Sequence, residues 1–215
     1  MLGSRKVGII PAAGMASRFR GVLKELLPLP DERILLQHAI DRLWFCNDVI
    51  VVSNPLKLEL HKLACTDKAR VILQEGREIW GAIKTGLAYG RGDHYYMTMA
   101  DTWMKANAFD SCPHKPINMG YFQTNEPERF GVISDRVIDK PKDMKPPVIA
   151  WGVVTWSNEV RGLWEQIDPP TFPAAINTAM DLYETGLWSI GHYYDCANAE
   201  SYYKLWSALR NGGTG

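Results

Sequence analysis

The chain has 215 residues, of which 46% are hydrophobic and 22% are charged, a composition typical of a soluble globular protein with one well-buried core. Lysine plus arginine and aspartate plus glutamate each number 24, so no net charge attracts the protein to nucleic acid or to an anionic membrane. No apolar run approaches the roughly 20 residues that a membrane-spanning helix needs. We therefore expect neither a nucleic-acid nor a membrane partner, and any affinity for phosphate must be local.

The first half of the chain alternates short apolar runs with segments of helical periodicity, which predicts successive β-α-β units. The predicted strands are Val7–Ile10, Asp48–Val52, Ala69–Leu73 and Tyr95–Ala100, and the predicted helices are Ile34–Cys46, Leu56–Ala64 and Ile79–Leu87. Such units are typical of a mostly parallel sheet with helices on both faces, and ligands then bind beyond the carboxyl ends of the strands.

The second half is richer in strands. The predicted strands are Ile117–Phe122, Val148–Thr155 and Trp188–Tyr194, with a hairpin formed by Phe130–Ser134 and Arg136–Asp139. The predicted helices are Asn158–Gln166, Pro173–Glu184 and Ala199–Leu209, the last of them capped by Asn198.

The cysteines bear on the cellular compartment. Cys46, Cys65, Cys112 and Cys196 are widely spaced and include no Cys-x-x-Cys pair, which argues against a zinc ribbon or a disulfide framework. The predicted first strand begins too early to leave room for a signal peptide. We therefore expect a cytoplasmic protein.

The loop after the first strand, Ala12-Ala13-Gly14-Met15-Ala16-Ser17-Arg18, is rich in small residues, and Lys24 follows it. Small residues let backbone amides approach a polyphosphate closely, and cations neutralise charge on phosphorus. The loop matches neither a Walker A motif nor a Gly-x-Gly-x-x-Gly motif. It indicates anion binding, although a tight turn with surface cations remains the alternative.

Three acidic or basic positions follow predicted strands downstream. Asp101 comes directly after one strand and Asp195 after another, where carboxylates can hold Mg²⁺. Each can instead be a turn or cap residue, although Asn198 already serves the helix after Asp195. Lys140, next to Asp139, ends the hairpin, and a solvated lysine is the alternative there.

Together these segments resemble the sugar-1-phosphate nucleotidylyltransferase family, and most closely its uridylyl- and thymidylyltransferase branch. The loop around Gly14 resembles the family's Gly-Gly-x-Gly-Thr-Arg, with Ala16 and Leu23 in place of a glycine and a proline. The other matching segments are Leu23-Lys24-Glu25-Leu26-Leu27-Pro28, Asp101, Phe130-Gly131-Val132-Ile133, Asp139-Lys140-Pro141, Ala150-Trp151-Gly152 and the stretch from Asp195 to Tyr202.

The resemblance implies a three-layer, Rossmann-like α/β fold with a mostly parallel sheet, helices on both faces and a small β-rich sugar-binding insertion. It implies one domain over residues 1–215, with a nucleotide-binding part (about 5–110), a sugar-phosphate-binding part (about 111–195) and a C-terminal helix (196–211). The implied reaction is Mg²⁺-dependent in-line attack of a sugar 1-phosphate on the α-phosphate of an NTP, UTP or dTTP in particular, which yields an NDP-sugar and pyrophosphate.

The resemblance also implies a role for each matching residue. The catalytic residues are Arg18, Lys24 and Lys140, and the magnesium ligands are Asp101 and Asp195. The nucleotide-binding residues are Ala12, Ala13, Gly14, Met15, Ala16, Ser17, Gln74 and Gly81, and the sugar-binding residues are Gly131, Asp139 and Gly152.

Other functions remain open at this point. A cytidylyltransferase that acts on phosphocholine or another phosphorylated alcohol would share these motifs, and a non-catalytic nucleotide-sugar binding module is a further alternative. A metal-dependent glycosyltransferase would normally carry an Asp-x-Asp motif where this chain has Asp101-Thr102-Trp103. The sequence leaves the oligomeric state open between monomer and homodimer.

Overall fold

The computed structural model describes residues 3–14, 22–65, 67–74 and 78–212. The helices within these ranges are α1 (Leu35–Asp41), α2 (Leu58–Ala64), α3 (Ile79–Tyr89), α4 (Asn158–Ile167), α5 (Phe172–Leu182) and α6 (Ala199–Arg210), and short 3₁₀ turns span Lys24–Leu26 and Pro127–Arg129. The strands are β1 (Lys6–Pro11), β2 (Asp48–Ser53), β3 (Ala69–Leu73), β4 (His94–Thr98), β5 (Thr102–Met104), β6 (Ile117–Thr124), β7 (Gly131–Ile133), β8 (Val137–Asp139), β9 (Val148–Ser157), β10 (Thr185–Ser189) and β11 (Tyr193–Asp195).

The main sheet runs in the order β10-β6-β9-β4-β1-β2-β3, with the β7–β8 hairpin attached through β9. Strand β1 is parallel to β2 and β4, and β2 is parallel to β3. Strand β9 is antiparallel to both of its neighbours, β4 and β6. The predicted mostly parallel sheet is therefore confirmed, and the carboxyl ends of β1, β2, β3 and β4 lie at one edge.

Alternation along β1 divides the core between the two faces of the sheet, because successive side chains of a strand point to opposite sides. Val7 and Ile9 pack in a cluster that includes buried residues of α3, α4 and α5. Ile10 packs in a second cluster with buried residues of α1. Helices thus cover both faces, as predicted.

The prediction of one strand over Trp188–Tyr194 is wrong. Strand β10 ends at Ser189 and β11 begins at Tyr193. Gly191 between them has a φ of +69°, a left-handed conformation that glycine adopts without steric penalty. The break sends β11 into a separate two-stranded sheet, antiparallel to β5.

The predicted helix over Ile34–Cys46 is also too long, since α1 ends at Asp41. Trp44, which helical periodicity places on the apolar face, is 67% exposed. The predicted cap of α6 is confirmed, because the side chain of Asn198 accepts a 2.9 Å hydrogen bond from the backbone N–H of Ser201. Across the described ranges, no helix combines the length and apolar character that a bilayer crossing demands.

Candidate active site

The backbone after β1 forms one wall of a small cavity at the carboxyl edge of the sheet. Ala12, Ala13 and Gly14 line this cavity, whose volume is about 170 Å³, together with Lys24 and Asp101. The amide of Ala12 donates to the carbonyl of Val52 on β2 (2.8 Å), which holds the start of the loop beside the sheet. The structure thus brings together the described part of the predicted phosphate loop, the predicted catalytic lysine and one predicted magnesium ligand.

Lys24 forms an ion pair with the carboxylate of Asp101. Burial acts to lower the pKa of Lys24, but the charge of Asp101 and the hydrogen bond to it outweigh burial, and the pKa lies above its ordinary value of 10.5. The lysine is therefore held in its charged form, with its ammonium group at the cavity wall.

The β5–β11 sheet places the second predicted magnesium ligand beside the first. Asp195 on β11 pairs with Thr102 on β5, the residue that follows Asp101. The amide of Cys196 also donates to the carbonyl of Asp101 (3.1 Å). Although 94 positions separate them in the chain, the two aspartates are brought together by this small sheet.

The neighbouring carboxylate of Asp101 makes Asp195 harder to ionise. Burial raises the pKa of Asp195 above its ordinary value of 3.8, and the charge of Asp101 raises it further. Arg129 opposes both effects, because one of its guanidinium nitrogens lies 2.9 Å from Asp195 Oδ2. A half-buried pair of carboxylates with two nearby cations is an arrangement suited to a divalent cation and phosphate groups.

A larger cavity of about 510 Å³ adjoins this pair. Gly131, Asp139 and Lys140 line it, as do Lys24, Asp101 and Asp195. A Cβ at Gly131 would lie 2.0 Å from Trp151 Nε1, so this glycine makes room for the indole in the wall of the cavity. Three residues predicted for the acceptor therefore lie beside the residues predicted for magnesium.

Gly152 does not line either cavity among the described residues. A Cβ there would lie 2.7 Å from Ile190 and 2.8 Å from the ring of Tyr193. The glycine therefore makes space for Tyr193, which does line the larger cavity. Its contribution to the pocket is indirect.

Gln74 and Gly81, predicted to bind the base, are in direct contact. A Cβ at Gly81 would lie 2.4 Å from Gln74 Nε2, and this nitrogen donates to the carbonyl of Glu78 (3.3 Å). Gln74 Oε1 is buried and, among the described residues, has no hydrogen-bond partner. Neither Gln74 nor Gly81 is among the described residues that line the two cavities. The predicted residues Met15, Ala16, Ser17 and Arg18 lie outside the described residues.

Sequence reasoning missed Arg129, Glu25 and Lys57. Arg129 lies in the 3₁₀ turn before β7, and only its position two residues before Gly131 of a matched segment points to it. Glu25 and Lys57 both line the smaller cavity. Glu25 adjoins Lys24 within a matched segment, whereas no sequence signal marks Lys57.

Residues 8–111 match the model of the MobA-like NTP transferase domain. Among solved structures, the inositol-1-phosphate CTP transferase from T. maritima is similar with a TM-score of 0.76 and 16% identity, and the match covers 99% of each chain. UDP-glucose pyrophosphorylase in complex with UDP-glucose is similar with a TM-score of 0.77 and 17% identity, over 98% of this chain and 100% of that one. The apo form of UDP-glucose pyrophosphorylase has a TM-score of 0.75 and 18% identity, with the same coverage.

At these identities the similarity to solved structures concerns the fold. No curated protein sequence matches the chain significantly. The family model covers the segment that contains the smaller cavity and Asp101, and the structural matches extend over the larger cavity. Residues 8–111 are therefore similar to the MobA-like NTP transferase domain, within a chain that has the nucleotide-diphospho-sugar transferase fold.

Proposed function

We propose that the protein is a sugar-1-phosphate nucleotidylyltransferase. In this reaction a phosphate oxygen of a sugar 1-phosphate bonds to the α-phosphorus of an NTP, and the bond from that phosphorus to the pyrophosphate leaving group breaks. The observation that carries the proposal is the position of Lys24 and Asp101, which line both the small cavity beside the loop at Gly14 and the larger cavity that contains Lys140. Two substrates bound in these cavities would meet at that pair.

For this reaction the protein needs mainly to align the substrates and to neutralise their charge. The attacking group is already an ionised phosphate, so no general base is needed, and catalysis depends on alignment and charge neutralisation. The backbone of Ala13 and Gly14 would bind the nucleotide, and Lys24 would contact its α-phosphate. Lys140 and Asp139 would bind the phosphate and hydroxyl groups of the sugar.

Two carboxylates are a suitable protein contribution to a magnesium site. Mg²⁺ is usually held through one or two carboxylates, with water and substrate phosphates as its other ligands. Asp101 and Asp195 would be the ligands, since both line the larger cavity. Within the described part of the chain, no cluster of three or more metal-binding side chains occurs. When bound, the ion neutralises charge on the reacting phosphates.

The similar folds and the matched segments also bear on which acceptor and which nucleotide base the protein uses. The inositol-1-phosphate CTP transferase has a similar fold over 99% of this chain, and this supports including phosphorylated alcohols and CTP in any substrate screen. UTP and dTTP are the nucleotides that the Lys-Glu-Leu-Leu-Pro segment favours. Gln74, whose Oε1 has no hydrogen-bond partner among the described residues, is the residue we assign to the base edge.

The experiment is a pyrophosphate-release assay with each NTP, a panel of sugar 1-phosphates and phosphorylated alcohols, and either Mg²⁺ or EDTA. We expect release with one NTP and one acceptor class, and only with Mg²⁺. Lys24→Ala should reduce kcat about 10²- to 10³-fold, since it removes a fixed positive charge at the reacting phosphate.

Lys62→Ala is the matched control, because Lys62 lies on α2 with a half-exposed side chain paired only with Glu59 in the described structure. It should have the activity of the wild type. Nucleotide binding without pyrophosphate release from any acceptor would contradict the proposal and favour a binding module. Unchanged turnover in Lys24→Ala would contradict the role of that residue.

A further inference from the structure

A buried group of ionisable side chains includes Glu25, the residue next to Lys24. Glu25, Lys57 and His61 are 3%, 4% and 0% exposed, and we call them the buried triad. Burying charges costs free energy even when they are paired, and apolar side chains of similar volume would often be as stable. Folding alone therefore does not account for the triad.

The contacts of the triad converge on the carboxylate of Glu25. Lys57 Nζ lies 2.7 Å from Glu25 Oε1, and His61 Nε2 lies 2.9 Å from the same oxygen. An ionised carboxylate only accepts hydrogen bonds, so His61 Nε2 carries a proton and donates it. His61 Nδ1 lies 2.8 Å from Ser53 Oγ at the end of β2, which fixes the ring from its other side.

The turn between β2 and α2 is also bonded to the loop that lines the smaller cavity. Lys57 Nζ donates to the carbonyl of Ala12 (3.2 Å), and Asn54 Nδ2 donates to the carbonyl of Ala13 (2.7 Å). Lys57 therefore bonds at once to the loop and to the residue next to Lys24. The position of Lys24 relative to the loop depends on these bonds as well as on its ion pair with Asp101.

On the basis of the nucleotidyl transfer proposed above, we propose that Glu25, Lys57 and His61 are positioning residues. They hold Lys24 at a fixed position relative to the backbone at Ala12–Gly14. The triad then fixes the distance between the amides that bind the triphosphate and the ammonium group at the reacting phosphorus. The triad acts through its neighbours, because its polar groups bond to one another and to the carbonyl of Ala12. Its effect is on kcat, because a small displacement of a group that acts in the transition state is costly.

The first experiment compares Lys57→Met with the double variant Glu25→Gln/Lys57→Met. The single variant removes the ammonium group that pairs with Glu25, so the thermal midpoint should fall. It should also reduce kcat about ten-fold or more. The double variant removes both charges, so its thermal midpoint should rise again while kcat stays low. KM for the acceptor should stay within about two-fold of the wild type in both variants, because the acceptor cavity is unchanged.

Lys62→Met is the matched control on the same helix, with an exposed ammonium group. It should have wild-type kcat and stability. Recovery of kcat together with stability in the double variant would overturn the proposal, since the triad would then serve the fold alone. Wild-type kcat in a folded Lys57→Met protein would overturn it as well.

A double-mutant cycle provides a second measurement. It compares Glu25→Gln, the mildest change in the triad, with Lys24→Arg and with the variant that carries both substitutions. If Glu25 acts through Lys24, the combined loss of kcat should be smaller than the product of the two single losses, and independent, multiplicative losses would contradict the proposal. Failure of the wild type to release pyrophosphate from any NTP would instead refute the proposed reaction, so the two failures are distinguishable.

Discussion

Each carboxylate of the site is paired with a cation from a distant part of the chain. Asp101 pairs with Lys24, and Asp195 pairs with Arg129. The described structure thus balances the charge of its two proposed metal ligands with the cations that would face substrate phosphate. Binding of a metal–nucleotide complex would exchange these partners, because the cations gain phosphate oxygens as the carboxylates gain the ion.

Gly131 shapes the larger cavity, the proposed acceptor site, because it has no side chain. Gly131→Ala would place a Cβ 2.0 Å from Trp151 Nε1, so the indole must move, at a cost of about 1–3 kcal/mol in the free energy of unfolding. Urea denaturation measures this loss, and KM for the acceptor should rise because Trp151 lines its cavity.

The control for this substitution is Gly162→Ala. Gly162 lies within α4, where a Cβ meets nothing within 4 Å, and alanine should stabilise the helix by up to about 1 kcal/mol. Equal stability of the two alanine variants would contradict the contact assigned to Trp151.

At the scale of elements, the buried triad links the 3₁₀ turn at Lys24–Leu26 to α2, and the pH dependence of stability reports on this link. Burial acts to raise the pKa of Glu25, but the bonds from His61 and Lys57 outweigh it, and the pKa lies below its ordinary value of 4.5. A carboxylate with a lowered pKa stabilises the fold above its unfolded pKa, and this stabilisation is lost as the pH falls through the folded pKa.

The measurement compares the unfolding free energies of the wild type and Glu25→Gln, obtained by urea unfolding from about pH 7 to about pH 3. The wild type should exceed Glu25→Gln in unfolding free energy at the upper end, and the excess should shrink as the pH falls below 4.5. A difference that is constant over this range would show that Glu25 has the same pKa in the folded and the unfolded protein, which would contradict the lowered pKa.

The elements differ in how well their sequences predict them. Strands β1 and β2 are apolar runs buried within a parallel sheet, so their residues alone identify them. Edge strand β3 is partly exposed, but its Val-Ile-Leu run identifies it as well. Strands β5 and β11 have three residues each and exist because they pair with each other. No local pattern identifies such a pair, and the predicted strand over Trp188–Tyr194 merges β10 with β11 for this reason.

At the scale of the whole molecule, the cysteines are free thiols and not cross-links, and three of the four are buried. All four are free, and burial raises the pKa of Cys46 and of Cys196 to about 12 and that of Cys65 to about 11. Because the thiolate is the reactive form, these three residues should react with iodoacetamide far more slowly in the native protein than in urea.

Mass spectrometry of the alkylated protein at about pH 8 measures this difference, residue by residue. The thermal midpoint should also be the same with and without a reducing agent. Cys46 and Cys196 are 7% and 0% exposed. Rapid alkylation of either residue in the native protein would therefore contradict their burial.

The sequence by itself determines the β-α-β order of the first half, the small-residue loop after β1 and the position of Asp101 at a strand end. Each of these follows from local periodicity or from neighbours in the chain. Only the tertiary structure decides that Asp195 and Arg129 lie beside Asp101, that Gly131 and Gly152 make room for aromatic rings, and that Glu25 meets Lys57 and His61. These contacts join residues far apart in the sequence, and they form only when the sheet brings the ends of its strands to one edge.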